Sequence, residues 1–344
     1  MKFVLAIVFS ICTLSLHAQN TPFFHSSRLI FGTHVERTAS LDVGDIDGDG
    51  DADVILANGR HWPGQNRIFV NNGRGIFTVS RNLGMDQVTS YSTELADFDG
   101  DGDLDVAVGN DMAPNYIFIN DGTGHFSKGE MFGEAYAPTR NIVTADIDQD
   151  GDIDILITNR GRANEICLND GKGNFIKSIS FGSKDDSTID VEVADIDGDG
   201  DQDLILANRD QQQNYVYLND GNLDFSKQIP YGTGKDNTRS VAIADVNADG
   251  YPDIITANIR AANVIYYGDK DLQFAQSEIF DPSTNRSFAI TSADLNGDGL
   301  MDIVVANNRA PNMVFLKENA SWTAIQLSEN NFETYDILTA DLNG

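Results

Sequence analysis

The sequence predicts an all-β, seven-bladed propeller with Asp-rich calcium loops and an incomplete last blade. Three observations carry that expectation. An acidic nine-residue pattern recurs about every fifty residues, short β-rich apolar segments flank each copy, and no segment carries the apolar period of a helix.

The pattern Asp-x-Asp/Asn-x-Asp-Gly-x-x-Asp starts at Asp45, Asp97, Asp146, Asp195, Asp245 and Asp294, and a seventh copy opens at Asp341. Each unit is built alike. An apolar or alternating segment precedes the acidic loop, as in Asn141 to Ala145, and a second follows it, as in Ile153 to Ile157. An asparagine stands thirteen residues after each loop start: Asn58, Asn110, Asn159, Asn208, Asn258 and Asn307. A third strand follows, such as Tyr116 to Ile119, and then Asn-Asp-Gly-x-Gly-x-Phe (Asn120 to Phe126, Asn169 to Phe175), the signature of a hairpin turn. A more variable fourth strand closes the unit. Four short antiparallel strands per repeat describe a propeller blade.

Residues 19–344 therefore read as one domain, with blades beginning near residues 40, 92, 141, 190, 240, 289 and 336. The segment Phe24 to Ala39 resembles the fourth strands of later units and is expected to close the last blade from outside. The second and third strands of a seventh unit are missing from the sequence, as expected of a fragment or truncated gene product.

The loop followed by apolar residues and Ala-Asn resembles the FG-GAP/VCBS repeat, a family that includes the integrin α-subunit propeller and many bacterial exported proteins. The resemblance covers residues 24–344. It implies a propeller, usually of seven blades.

The loops read as cation sites. Oxygen ligands at positions 1, 3, 5 and 9, with Gly at 6 for the bend, suit a hard ion, and calcium more than magnesium. The ligand sets are Asp45, Asp47, Asp49 and Asp53; Asp97, Asp99, Asp101 and Asp105; Asp146, Asp148, Asp150 and Asp154; Asp195, Asp197, Asp199 and Asp203; Asp245, Asn247, Asp249 and Asp253; and Asp294, Asn296, Asp298 and Asp302. One structural Ca²⁺ per complete repeat is expected, and a fold that depends on it. An EF-hand needs flanking helices and a Glu at position 12, and dockerin loops lie closer together, so neither fits. The competing reading is an empty turn of turn-forming residues.

Residues 1–18 read as a signal peptide: Lys2, an apolar run from Phe3 to Leu16, then Leu16-His17-Ala18. Export to the periplasm or beyond is expected. Cys12 lies in that segment, which leaves Cys167 unable to form an internal disulfide. A net charge of −30 argues against nucleic acid and anionic membranes as partners. No later stretch is long and apolar enough for membrane insertion, and a monomer is expected.

The turns on the rim opposite the calcium loops are rich in arginine. Arg60, Arg140, Arg160, Arg209, Arg239, Arg260 and Arg309 are candidate ligands for an anionic glycan, with Arg37, Arg162 and Arg286 beside them. The competing reading makes them struts paired to acids of neighbouring blades. Unit two departs from the pattern, with Asp111 where others carry Arg. Unit one is longer by two or three residues within Arg60-His61-Trp62-Pro63-Gly64. Trp62 offers a face for sugar stacking, and His61 a general base, with Tyr91 and His34 expected nearby as further acid–base groups. Calcium-containing propellers also occur among polysaccharide lyases, a likeness of architecture only. The function expected is β-elimination on a uronate or sulfated glycan such as ulvan, by a lyase or an oligosaccharide dehydratase. The alternative is a non-enzymatic carbohydrate- or protein-binding propeller, and a third possibility is a scaffold with no small ligand.

Overall fold

A computed structural model describes residues 36–319, 321–327 and 330–343. Among these residues twenty-four strands form six four-stranded antiparallel sheets, each made of four consecutive strands in order. In the first, β1 (Thr38–Gly44) is innermost, followed outward by β2 (Asp53–Asn58), β3 (Arg67–Val70) and β4 (Val79–Asn82). The innermost strands of the next five blades are Ser90–Ala96, Thr139–Ala145, Thr188–Ala194, Thr238–Ala244 and Ser287–Ala293.

The six second strands, from DVILAN to DIVVAN, are buried along their whole length. Both faces of a middle strand are covered by adjacent blades, so its sequence is nearly continuously apolar rather than alternating. The core therefore lies between blades. Phe98, Ile117 and Phe132 of the second blade pack with Ile142, Ile155 and Ile157 of the third, each such side chain contributing about 2 kcal/mol of transfer free energy.

Buried polar struts repeat with the same period. At the start of each innermost strand a hydroxyl donates to the asparagine ending the second strand, as Thr188 Oγ1 does to Asn208 Oδ1 at 2.8 Å. An asparagine from the preceding blade, Asn164, donates to that hydroxyl at 3.2 Å. The same triad recurs as Asn115, Thr139 and Asn159 and as Asn214, Thr238 and Asn258. These asparagines satisfy backbone groups where the sheets turn, and they explain the Asn spacing in the sequence.

The blade count corrects the expectation of seven. Among the described residues six four-stranded blades are present, and the seventh position holds the segment 333–343, which forms no strand. Among the described residues no strand of the same blade lies beside it to form a ladder. The segment still fills the slot of an innermost strand. Leu41 N donates to Asp336 Oδ2 at 3.0 Å, Asn71 Nδ2 donates to the Leu342 carbonyl at 2.9 Å, and Ile337 packs on Val304, Val314 and Leu316 of blade six. The expected outer strand 24–39 falls largely outside the described residues, as do the segment 1–18 and His34.

The innermost strands surround a channel of about 280 Å³ lined by Asp42, Glu94, Asp190, Glu192, Asp336 and Arg239, among others. Asp42 accepts from Leu95 N and Asp190 from Val241 N, so these carboxylates tie one blade to another. Burial, reinforced by neighbouring carboxylates, lifts Glu94 well above the usual range and Glu192 to about 8. Burial also lifts Asp336 to about 6 and lowers Arg239 to about 10.

Two outcomes are expected. Thr188→Val keeps the shape but strands two buried amides, and lowers stability by about 2 kcal/mol in chemical denaturation. The channel acids hold protons more tightly folded than unfolded, so their contribution is complete below the unfolded carboxylate range and fades as pH rises through about 6 to 8. With calcium saturating, the calorimetric Tm falls between about pH 6 and pH 8.5, and Glu192→Gln flattens the fall; a rising Tm contradicts this account.

Candidate functional site

Two sites lie on opposite rims. On the loop rim, candidate ligand oxygens of Asp45, Asp47 and Asp53 lie within 4.8 Å of one another, as do those of Asp97, Asp99 and Asp101, of Asp146, Asp148 and Asp154, and of Asp195, Asp197 and Asp199. Glycine and neighbouring backbone N–H groups fold each loop around its first aspartate; Asp45 accepts from Gly48 N and Gly50 N. Asp47 Oδ1, Asp99 Oδ1, Asp146 Oδ1 and Asp148 Oδ1 are buried without a hydrogen-bond partner. Hard oxygens left unpaired and crowded together fit a divalent cation. Burial and the adjacent carboxylates raise Asp47, Asp99, Asp148 and Asp197 above the ordinary range.

The ninth-position aspartate also has a structural task. Asp53 is fully buried; its Oδ2 accepts from Ile46 N and its Oδ1 from Asn71 N, which clamps the loop to the hairpin turn beyond β3. Asp105, Asp154 and Asp203 repeat both contacts. Burial, partly offset by those N–H groups, leaves Asp53 and Asp105 raised to about 6 and Asp154 to about 7.

On the other rim, the pairing register skips one residue near the start of each innermost strand. The skipped residues are Ala39, Tyr91, Arg140, Ile189, Arg239 and Phe288. A β-bulge re-aims its extra side chain, and five of these six line the channel.

Tyr91 and His61 are brought together. The inserted loop is pinched shut by Gly59 and Gly64, where a Cβ would collide with the Trp62 and Val88 carbonyls or with the Asn58–Gly59 backbone. Gly64 N donates to Val88 O at 2.9 Å and Arg60 N to Ser90 O at 2.9 Å, which pins the loop to the turn before Tyr91. Tyr91 Oη then lies 2.8 Å from His61 Nε2, and His61 Nδ1 lies 2.7 Å from Asp111 Oδ2. The acceptor-only carboxylate selects the Nδ1–H tautomer, which leaves Nε2 to accept the tyrosine proton. Arg140 Nη1 donates to Asp111 Oδ1 at 2.7 Å and holds that carboxylate in place. The guanidiniums of Arg60 and Arg140 lie 5.2 and 4.6 Å from the Tyr91 ring centre. Asp111, visible in the sequence as a break in the arginine pattern, is the member whose role only the fold reveals.

Beside this chain of hydrogen bonds lies a pocket of about 480 Å³ lined by Glu36, Arg37, Thr38, Arg60, His61, Trp62, Glu333 and Tyr335. Trp62 is 59% exposed, and Arg37 lies 5.1 Å over its ring. Arg60 rests 3.6 Å from the Tyr335 ring centre and pairs with no acid among the described residues.

The other arginines do not converge. Arg160 and Arg209 both pair with Asp210, Arg162 pairs with Glu134, and Arg309 pairs with Glu333. Arg239 is half-buried in the channel beside Asp190. Arg260 is exposed and makes no ion pair among the described residues. For most of the ring the strut reading fits better; the two arginines that meet at the pocket are Arg37 and Arg60.

Comparison with known proteins agrees with this architecture. A family model described as an FG-GAP-like repeat matches residues 45–108, 97–157, 146–206, 195–256, 245–305 and 294–344. No curated protein matches the chain by sequence. Among solved structures, an Agrocybe aegerita lectin that recognises non-reducing terminal N-acetylglucosamine aligns with TM-score 0.59 and 19% identity, over 86% of this chain and 81% of the lectin. BBS1N, solved in complex with ARL6DN, aligns with TM-score 0.57 and 13% identity, over 90% of this chain and 85% of that one. At such identities the likeness is one of fold. With six overlapping matches running from Asp45 to Gly344, the chain belongs to the FG-GAP-like repeat family.

Proposed function

We propose that this is an exported, calcium-stapled propeller that binds an acidic glycan at the mouth of its channel and cleaves it by β-elimination. One observation carries the reading: the Asp111–His61–Tyr91 series, which adjoins an arginine- and tryptophan-lined pocket. Trp62 and Arg37 would hold a sugar ring and its charge, and Arg60 would neutralise a uronate carboxylate, acidifying the C5 proton. His61 takes the proton of Tyr91, and the tyrosinate removes the proton from C5. The electron pair forms the C4–C5 double bond as the C4–O bond breaks, and the imidazolium returns a proton to the departing oxygen. Calcium has a structural part here, neutralising the loop carboxylates on the far rim. Export rests on residues 1–18.

A second reading, recognition without turnover, has its own support. Tyr91 is only 5% exposed and both His61 nitrogens already have partners, as expected of a rigid binding surface. The lectin neighbour shows that this fold can bind a sugar, and BBS1N that it can enter a protein complex.

The decisive assay follows ultraviolet absorbance of unsaturated uronate with calcium-loaded protein on a panel of acidic polysaccharides. Turnover is expected, cut about 100-fold or more by His61→Ala or Tyr91→Phe, with Arg60→Ala acting mainly on KM. Glycan binding by calorimetry with no absorbance change on any substrate would leave the recognition reading and sink the lyase.

A further inference from the structure

We propose that the acidic loops fall into two classes: four, in blades one to four, that hold calcium tightly, and two, in blades five and six, that hold it weakly. This rests on the calcium reading above but does not follow from it, since six equal sites would satisfy that reading as well.

Charge is the first ground. Each loop of blades one to four carries five aspartates, because position 7 is also Asp, at Asp51, Asp103, Asp152 and Asp201. The loops of blades five and six carry three, with Asn247 and Tyr251 in one and Asn296 and Leu300 in the other. Calcium affinity in oxygen-ligand loops is tuned by the number of carboxylates.

The metal-free state is the second, independent ground. In blades one to three, loop oxygens are buried with no partner: Asp47 Oδ1, Asp99 Oδ1, Asp146 Oδ1 and Asp148 Oδ1. A cation would meet them without displacing any hydrogen bond to a protein group, so binding there gives up none. In blades five and six the asparagine amide does part of that work. Asn247 Nδ2 donates to Asp249 Oδ2 at 2.9 Å, and Asn296 Nδ2 donates to Asp298 Oδ2 at 3.1 Å. An ion entering there competes with hydrogen bonds already made and meets fewer negative charges.

The weak pair is adjacent in the ring, and blade six abuts the segment 333–343, which fills the seventh position with one backbone segment. As calcium falls, the ring loosens first on that side.

The test strips the protein with chelator and returns calcium, read by isothermal titration and by native mass spectrometry of the whole chain. Four ions are expected to bind first and two more with a Kd at least about tenfold weaker. Hydrogen exchange during calcium withdrawal is expected to rise in residues 238–305 before the innermost strands of blades one to four. Asn247→Asp with Tyr251→Asp should give five tight ions and one weak. Asp148→Asn with Asp152→Leu should give three and three, which keeps a readout if either variant folds poorly. Six equivalent sites, or variants that leave the partition unchanged, overturn the two classes while leaving the calcium reading intact. No bound calcium at all overturns that reading itself.

Discussion

Carboxylates crowded on one rim are the constraint around which the ring is organised. Each unit puts three to five aspartates into nine residues and buries the ninth-position side chain completely. Burying an anion is costly unless its lone pairs are used. Asp53 and its equivalents use theirs on two backbone N–H groups, one at the loop and one at the hairpin turn beyond the third strand. The same carboxylate thus fixes the path of three strands and leaves the rest of the loop crowded with charge. A cation would supply what those N–H groups do not, and a chain with one cysteine outside residues 1–18 has no internal disulfide to do that work instead.

The frame repeats, and chemistry enters where it departs from repetition. At the bulge position the chain carries Ala39, Tyr91, Arg140, Ile189, Arg239 and Phe288. The backbone there is the same in every blade, so side-chain identity alone decides what faces the channel mouth. The residue fifteen places after the loop start shows similar discipline. Arg60, Met112, Asp210, Arg260 and Arg309 all adopt left-handed backbone, with φ from 55° to 64°. Such a conformation costs a non-glycine residue roughly 1 kcal/mol. Hydrogen bonds from Arg60, Met112, Arg260 and Arg309 N–H to the turn leading into the next blade offset that cost. Unit one then adds residues in that turn, unit two replaces an arginine by Asp111, and the two changes meet at His61.

Much of this was legible in the sequence because a repeat makes local order into global order. Strand sequence, loop positions and the Asn spacing follow from patterns within one unit. The closeness of His61 and Tyr91 followed from both lying on neighbouring rim turns. What did not follow were contacts between units. Whether Arg160 faces ligand or Asp210 depends on how far one turn leans toward the next, and no periodicity encodes that. The bulge that aims Tyr91 has no sequence signal of its own, since it arises from one residue skipped in pairing. The count of six four-stranded blades among the described residues, instead of seven, reflects the cooperativity of a sheet. A segment with an innermost strand's sequence, Thr334 to Leu338, makes side-chain and packing contacts but joins no ladder where no partner strand of its own blade stands among the described residues.

The two rims are coupled by the strands that join them. β1 begins beside the Arg37–Trp62 pocket and ends at the first acidic loop. The innermost strand of blade two carries Tyr91 near one end and reaches Asp97 just past the other. A cation held on the loop rim would therefore act on the opposite face through strand position, by fixing where each strand starts and with it the register at which the bulge occurs. A one-residue slip would turn Tyr91 away from the channel mouth and carry the apolar set of the strand to the wrong face. The Tyr91–His61 distance of 2.8 Å is accordingly a property of the whole blade pair, held from below by buried aspartates and from above by the pinched loop.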